Sequence, residues 1–368
     1  MLFIAICAFL VIFSLLILIH EGGHFTAARF FGVKVEEFGL GMPPKAKVLF
    51  KDEHKTEYTL NWLPLGGFVR MKGEDAVTNK LLKEKDSFAA IAVWKRIIIV
   101  IAGVTMNFLL GFILLVAVFS IGSSQLASPE NVNQMLAENP QAQVVNNRLL
   151  GVLVNAVTPD GIAETAEIKK YDFISKVNGE PITSGEILQQ ALKAQADKPT
   201  TLSITRRDYE FEVKVTPSSE GLIGVEFTQP LMSVTLRYPF PTAVKEAGVE
   251  TIRLTKLIVG SIGSLFGSVL HGELPADIGG PVAIAKETFY RASSFIALLN
   301  FAAMLSITLA IFNILPIPAL DGGRLLFLLF ELITRYRANP KAEAYIHFAG
   351  YIILLGLIAV ISWQDIFK

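Results

Sequence analysis

Four apolar stretches constrain this chain more than any other feature. Residues 2–31, 97–121, 295–315 and 345–363 are each long and apolar enough to cross a bilayer as a helix. A helix satisfies its own backbone in lipid, whereas isolated strands cannot, so a polytopic α-helical membrane protein is expected. The composition agrees, with 52% of residues hydrophobic and only 18% charged. The loop after the first stretch carries Arg29, Lys34, Lys45, Lys47, Lys51, Lys55, Arg70, Lys72, Lys95 and Arg96. An excess of such charge marks the cytoplasmic side, which places both termini opposite. Arg324, Arg335, Arg337 and Lys341, between the third and fourth stretches, then fall in the cytoplasm too. No Lys or Arg precedes Arg29 and no small-residue cleavage site follows the apolar run, so a retained span is expected rather than a signal peptide. Lys+Arg and Asp+Glu are balanced at 33 each, which gives no field to attract nucleic acid. The one cysteine, Cys7, excludes an intrachain disulfide.

Polar groups interrupt the first stretch at residues 15–31, LLILIHEGGHFTAARFF. A charged side chain near the centre of a membrane helix costs about 2.5–3.5 kcal/mol, so such groups are rarely idle. His20 and His24 are four apart and share one helix face, a spacing that lets two imidazoles bind one tetrahedral metal. Glu21, turned away from the pair, can reach the attacking water. The motif is HExxH, and coincidence is the alternative.

A catalytic zinc commonly takes three protein ligands. His54 and His347 lack a setting for the third. Asp321 is better placed, because the run from Asn313 through Pro316 and Pro318 to Asp321-Gly322-Gly323 puts a carboxylate at the inner end of the third span. The two prolines break the helix, and freed backbone is tolerated at that depth only where it lines a protein cavity. Spans one and three run the same way, so His20, His24 and Asp321 lie at similar depth. A helix-end cap or a surface turn is the other reading of Asp321.

Between spans one and two, residues 56–71 (TEYTLNWLPLGGFVRM) read as two short strands around Pro64-Leu65-Gly66-Gly67. The pair is apolar enough to dip into the membrane; an ordinary surface hairpin is the alternative. Residues 123–149 are polar, with Pro129 and Pro140, and read as a linker. Residues 150–228 form a soluble α+β module. Its expected strands are 151–157, 172–177, 201–205 and 209–215, with a turn at Asn178-Gly179. A capping box at Thr183-Ser184-Gly185-Glu186 opens a helix to about Ala194. Residues 243–270 have helical spacing and suit an amphipathic helix on the membrane surface, a fifth span being the alternative. The expected divisions are therefore 1–122, 123–149, 150–228, 229–292 and 293–368.

With these motifs the chain resembles the site-2 protease family of intramembrane zinc metalloproteases, over nearly its whole length. The resemblance rests on HEGGH at 20–24, NxxPxPxLDGG at 313–323 and PLGGFVRM at 64–71. It implies four transmembrane helices with a membrane-re-entrant β-hairpin, plus one α+β PDZ-like extracytoplasmic domain. The implied cofactor is Zn2+, held by His20, His24 and Asp321, with Glu21 as general base. Asn313 matches a residue that holds the substrate backbone, and Gly66, Gly67 and Phe68 belong to a strand edge presented to unwound substrate. The branch it is most similar to is that of the bacterial regulator-of-sigma-E proteases in the inner membrane. Their substrates are single-span proteins, namely anti-sigma factors and remnant signal peptides. The family's GPxxN motif stands here as Gly103-Val104-Thr105-Met106-Asn107, with Val104 in place of proline. Tyr171 replaces the glycine of the family's GD turn, and 222–225 resembles a PDZ loop for peptide C-termini. Two other readings are an inactive PDZ anchor and a metal transporter, although internal repeats typical of transporters are not evident.

Overall fold

The computed structural model describes residues 2–74, 81–206, 209–271, 280–291 and 294–367. Among them, four helical segments are long and apolar enough to cross a membrane: Phe9–Phe30, Val93–Ile121, Phe295–Ile314 and Lys341–Gln364. These are the four expected from the sequence. They belong to α1 (Leu2–Phe30), α2 (Val93–Ile121), α8 (Phe295–Ile314) and α10 (Pro340–Phe367). The chain divides into two compact units. One is Val116–Lys245, and the other joins Met1–Leu115 to Glu246–Lys368.

In the helical unit, glycine sets how closely elements approach. A side chain on Gly23 would collide with the carbonyl of Ala102, and one on Gly103 with the ring of His24. Two long apolar helices meet backbone to side chain at this level because both positions lack Cβ. Helix α8 ends at Ile314, and after the break at residues 315–320 α9 (Asp321–Thr334) begins. Within the break Ala319 has φ +78 and donates its amide to Nδ1 of His347 on α10 at 3.0 Å. His347 therefore shapes the break and takes no part in the metal cluster. Two further helices, α6 (Phe240–Leu270) and α7 (Pro281–Arg291), complete this part of the chain. Helix α6 is long but is not among the four segments that are also apolar enough to cross a membrane. Helix α7, which sequence patterning did not separate from the region around it, packs against α1, α8 and α10. Arg96 at the start of α2 is 5% exposed and meets both carboxylate oxygens of Glu331 on α9 at 3.0 and 2.5 Å. Burial makes such a guanidinium costly unless paired, and a two-point pair also fixes direction.

The 56–71 segment departs from expectation. Its two halves do not pair with each other. Strand β2 (Glu57–Met71) pairs with β1 (Val35–Lys51), and the stretch Glu37–Leu40 lies between the halves: Leu40 is partnered by Leu60 on one side and Gly67 on the other. The expected hairpin is thus part of a larger β1–β2 sheet. Gly66 has φ +70 and Gly67 lies where a Cβ would press on Leu18, so this half of β2 lies close against α1. Met42, Phe50, Trp62 and Leu63 remain exposed on this sheet.

In the second unit the sheet order is β3-β9-β4-β5-β7-β8, with β6 (Glu180–Pro181) paired to β5 (Phe173–Val177). The other strands are β3 (Ser123–Ala127), β4 (Gln143–Val157), β7 (Thr200–Arg206), β8 (Tyr209–Val215) and β9 (Val225–Arg237). Three short helices, α3 (Val132–Glu138), α4 (Ile162–Thr165) and α5 (Gly185–Ala194), accompany them. The core is apolar and contiguous, with Val152, Ile174, Leu188, Leu202, Ile204 and Ile223 fully or almost fully buried. The linker expected at 123–149 is instead part of this sheet. Ser123–Ala127 pairs with the far half of β9, and β4 runs from Gln143 along the same strand. Residues 143–148 are exposed on both faces, so no alternation marks them as a strand. The helix cap also lies one residue later than expected: Ser184 Oγ accepts the amide of Ile187 at 3.2 Å. The turn at Asn178-Gly179 is as expected, both at positive φ between paired Val177 and Glu180. Residues Arg207 and Asp208, around which the strands 201–205 and 209–215 are expected to form a hairpin, lie outside the described residues.

Tyr171 has φ +74, a conformation that costs an L-residue about 1–2 kcal/mol and glycine almost nothing. The residue is 64% exposed, so little packing is lost with its side chain. Tyr171→Gly should stabilise the module by about 1 kcal/mol, the relief exceeding glycine's extra unfolded-state entropy. Hydrogen exchange of the β5 and β7 amides in the full chain should slow about fivefold. Faster exchange would show that the tyrosine ring contributes more than its backbone costs.

Candidate active site

Helix α1 places His20 and His24 one turn apart, 5% and 7% exposed. Helix α9 begins with Asp321, whose Oδ2 lies 2.9 Å from His20 Nε2 and 3.2 Å from His24 Nε2. The two Nε2 atoms are 3.2 Å apart. Three donor atoms from residues 301 positions apart in the chain thus converge on one point. Four ligands at about 2.0–2.1 Å around zinc would stand about 3.3 Å from one another. The observed triangle fits that requirement with a slight contraction, and its donor chemistry, two imidazoles and a carboxylate, is zinc's own. It is the one such cluster found among the described residues.

The break after α8 explains how Asp321 reaches this point. Side chains on Gly322 and Gly323 would collide with the carbonyls of Leu315 and Ile317, so the LDGG glycines let α9 start immediately beneath the end of α8. The start of a helix also favours a carboxylate electrostatically.

Around the triangle, other groups orient the ring nitrogens. His24 donates Nδ1–H to the carbonyl of Ile99 at 2.8 Å, which leaves the Nε2 lone pair for a metal. Asn313, near the end of α8, brings its amide to 3.4 Å from His20 Nε2. Asn107 approaches Nδ1 of the same ring at 3.4 Å. Glu21 Oε2 accepts the amide of Val69 at 3.0 Å, which brings the 67–71 half of β2 alongside the helix turn that bears the histidines. Gly66 is tied to the same helix, its amide donating to Ser14 Oγ at 3.3 Å. Phe68 pairs with Gly39, and its ring fills the space a Gly39 side chain would need.

The structure therefore brings together His20, Glu21, His24, Asn313 and Asp321, and sets the strand of Gly66, Gly67 and Phe68 beside them. His54 lies in the β1–β2 turn, its amide bonded to Asp52. Sequence reasoning did not find the contacts made by Val69 and Ile99. Both use backbone atoms, which every residue carries, so no side-chain signal exists to find.

A buried cluster of two histidines and a carboxylate that could hold a metal, set among helices long and apolar enough to cross a membrane, is an arrangement that fits a membrane metalloenzyme. The family model for peptidase family M50 matches residues 8–357, and the chain belongs to that family, the site-2 proteases. It is 29% identical to the zinc metalloprotease RasP of Geobacillus kaustophilus, an alignment covering 99% of this chain and 98% of the relative. A putative zinc metalloprotease of Campylobacter jejuni is 31% identical over 98% of this chain and 92% of its own. The regulator of sigma-W protease RasP of Bacillus subtilis is 29% identical, covering 98% of both. The chain is accordingly a zinc metalloprotease, which excludes the anchor and transporter readings. Among solved structures, the HtrA3 PDZ domain bound to a phage-derived ligand matches 29% of this chain at 24% identity, with a TM-score of 0.18 too low to argue from.

Proposed function

We propose that this protein is an intramembrane endopeptidase that cuts the membrane segments of single-span proteins, of the anti-sigma-factor or remnant-signal-peptide kind, in regulated proteolysis. The observation that carries this reading is the convergence of His20, His24 and Asp321 within apolar helices, beside a strand edge bonded to Glu21.

His20, His24 and Asp321 would hold the zinc, which when bound lowers the pKa of water toward about 7 and polarises a carbonyl. Glu21 takes the proton of the attacking water and returns it to the leaving amine. The Val69 amide holds one carboxylate oxygen, so the other is presented in a constant direction. A helical substrate hides its peptide bonds in its own hydrogen bonds and must unwind before it is cut. Pairing with the 67–71 edge would satisfy the groups released, with Asn313 bonding the substrate backbone near the scissile carbonyl. The exposed Met42, Phe50, Trp62 and Leu63 support a sheet that enters the bilayer.

The unit containing β3 to β9 acts, in this reading, as a PDZ-like domain outside the cytoplasmic membrane that screens the outer part of the substrate. Its support is a groove of about 430 Å³ beside α5 and the start of β9, lined by Ser184, Gly185, Gln189, Phe227 and Pro230. Strand β3 covers the other end of β9 and leaves this stretch of its edge open to an extended peptide C-terminus. Helix α6 would lie on the outer membrane surface.

The test is cleavage of a tagged single-span segment by the purified protein in detergent or vesicles. A cut within the apolar segment is expected, abolished by a zinc chelator and restored by added zinc. Zinc-loaded protein that cuts only exposed loops and never the apolar segment would overturn the intramembrane reading.

A further inference from the structure

Helix α2 meets the histidine pair with three residues spaced four apart, Ile99, Gly103 and Asn107, which share one face. Ile99 supplies the carbonyl that accepts Nδ1–H of His24. Gly103 supplies the space in which both rings sit, since a Cβ there would collide with His24 and come within 2.9 Å of His20 Cε1. Asn107 is completely buried, and its side-chain amide is 3.4 Å from Nδ1 of His20. In that arrangement Nδ2 faces the ring, and Oδ1 is a buried acceptor with no partner among the described residues. The Asn107 carbonyl accepts Ser306 Oγ of α8 at 2.8 Å, so the backbone here is anchored independently of the side chain.

A neutral imidazole has one N–H and one lone pair. If Asn107 donated to Nδ1, the proton of His20 would lie on Nε2, where the metal must bind. A half-turn of the Asn107 amide exchanges its oxygen and nitrogen without moving any other atom. Oδ1 then accepts Nδ1–H, the orphaned acceptor is satisfied, and the Nε2 lone pair points at Asp321 and the metal position. We infer that Asn107 is a positioning residue that accepts Nδ1–H of His20 through Oδ1 and so selects the metal-binding tautomer and ring plane. Helix α2 thus provides an acceptor for each histidine, one from its backbone and one from a side chain.

The inference rests on the metal-site reading, and His20→Ala separates the two. Zinc affinity is measured by competition with a chelator of known affinity on purified full-length protein. Removing an acceptor of this kind should lower zinc affinity about 10–100-fold, so Asn107→Leu, which keeps the branching at Cγ but has no acceptor, should show that loss. Asn107→Asp keeps an acceptor and should stay within a few-fold of wild type. Wild-type affinity in Asn107→Leu, or an equal loss in both variants, would overturn the inference. If His20→Ala itself retained tight zinc, the metal-site reading would fail instead. Nitrogen-15 NMR of zinc-loaded wild-type protein labelled at histidine tests the same point should the leucine variant not fold. Two imidazoles bound through Nε2 with Nδ1 protonated are expected, and a ring bound through Nδ1 would overturn the assignment.

Discussion

Glu21→Gln should reduce proteolysis about 10²–10⁴-fold while leaving bound zinc and the fold unchanged. General-base catalysis by a positioned carboxylate contributes about 10²–10⁴-fold, and an amide cannot take the proton. Glutamine matches glutamate in volume, and its carbonyl can still accept the amide of Val69, so the β2 edge keeps its place against α1. Glu21→Ala serves as a contrast. It removes the proton acceptor and also leaves the Val69 amide without its partner, adding a structural penalty of about 1–3 kcal/mol if that group stays dry. The measurement pairs cleavage of a tagged single-span substrate with elemental analysis of zinc. Substantial cleavage by zinc-loaded Glu21→Gln would assign the base to another residue.

How much of this site the sequence displays depends on which atoms make it. HEGGH is visible because its two imidazoles and carboxylate are rare in an apolar helix. Asp321 is visible because two prolines and two glycines surround it where a span should simply continue. The four long helices are visible because apolar length alone marks them. The rest is less accessible for identifiable reasons. The acceptor for His24 is the backbone of Ile99, and the donor to Glu21 is the backbone of Val69; neither is encoded in a side chain. Residues 143–148 form a strand whose side chains are exposed on both faces, so polarity there resembles a linker. The 56–71 segment contains the right strand halves, yet their partner, Glu37–Leu40, enters from outside the segment. Local pattern reveals which stretches are extended and leaves open which stretches pair.

Asp321→Ala should cost the protein its zinc as well as its activity, and this separates it from Glu21→Gln. Among the described residues, Asp321 Oδ2 is the one carboxylate oxygen within 3.2 Å of both Nε2 atoms. Without it two imidazoles remain, and a catalytic zinc site ordinarily uses three protein ligands. Loss of a group that merely orients a ligand lowers affinity about 10–100-fold, so loss of a direct ligand should exceed that range. The fold should survive. A carboxylate in the first turn of a helix contributes only about 0.3–1 kcal/mol through the helix dipole. The start of α9 is held besides by the close packing of Gly322 and Gly323 and by the ion pair of Arg324 with Glu74. Asp321→Asn, which keeps shape but offers a weaker neutral oxygen, should fall between wild type and alanine in zinc affinity. The experiment measures zinc by elemental analysis after dialysis against a weak chelator, with circular dichroism to confirm helix content. Full zinc occupancy in a folded Asp321→Ala protein would place the third ligand elsewhere and leave the convergence of Asp321 on His20 and His24 a helix-end contact.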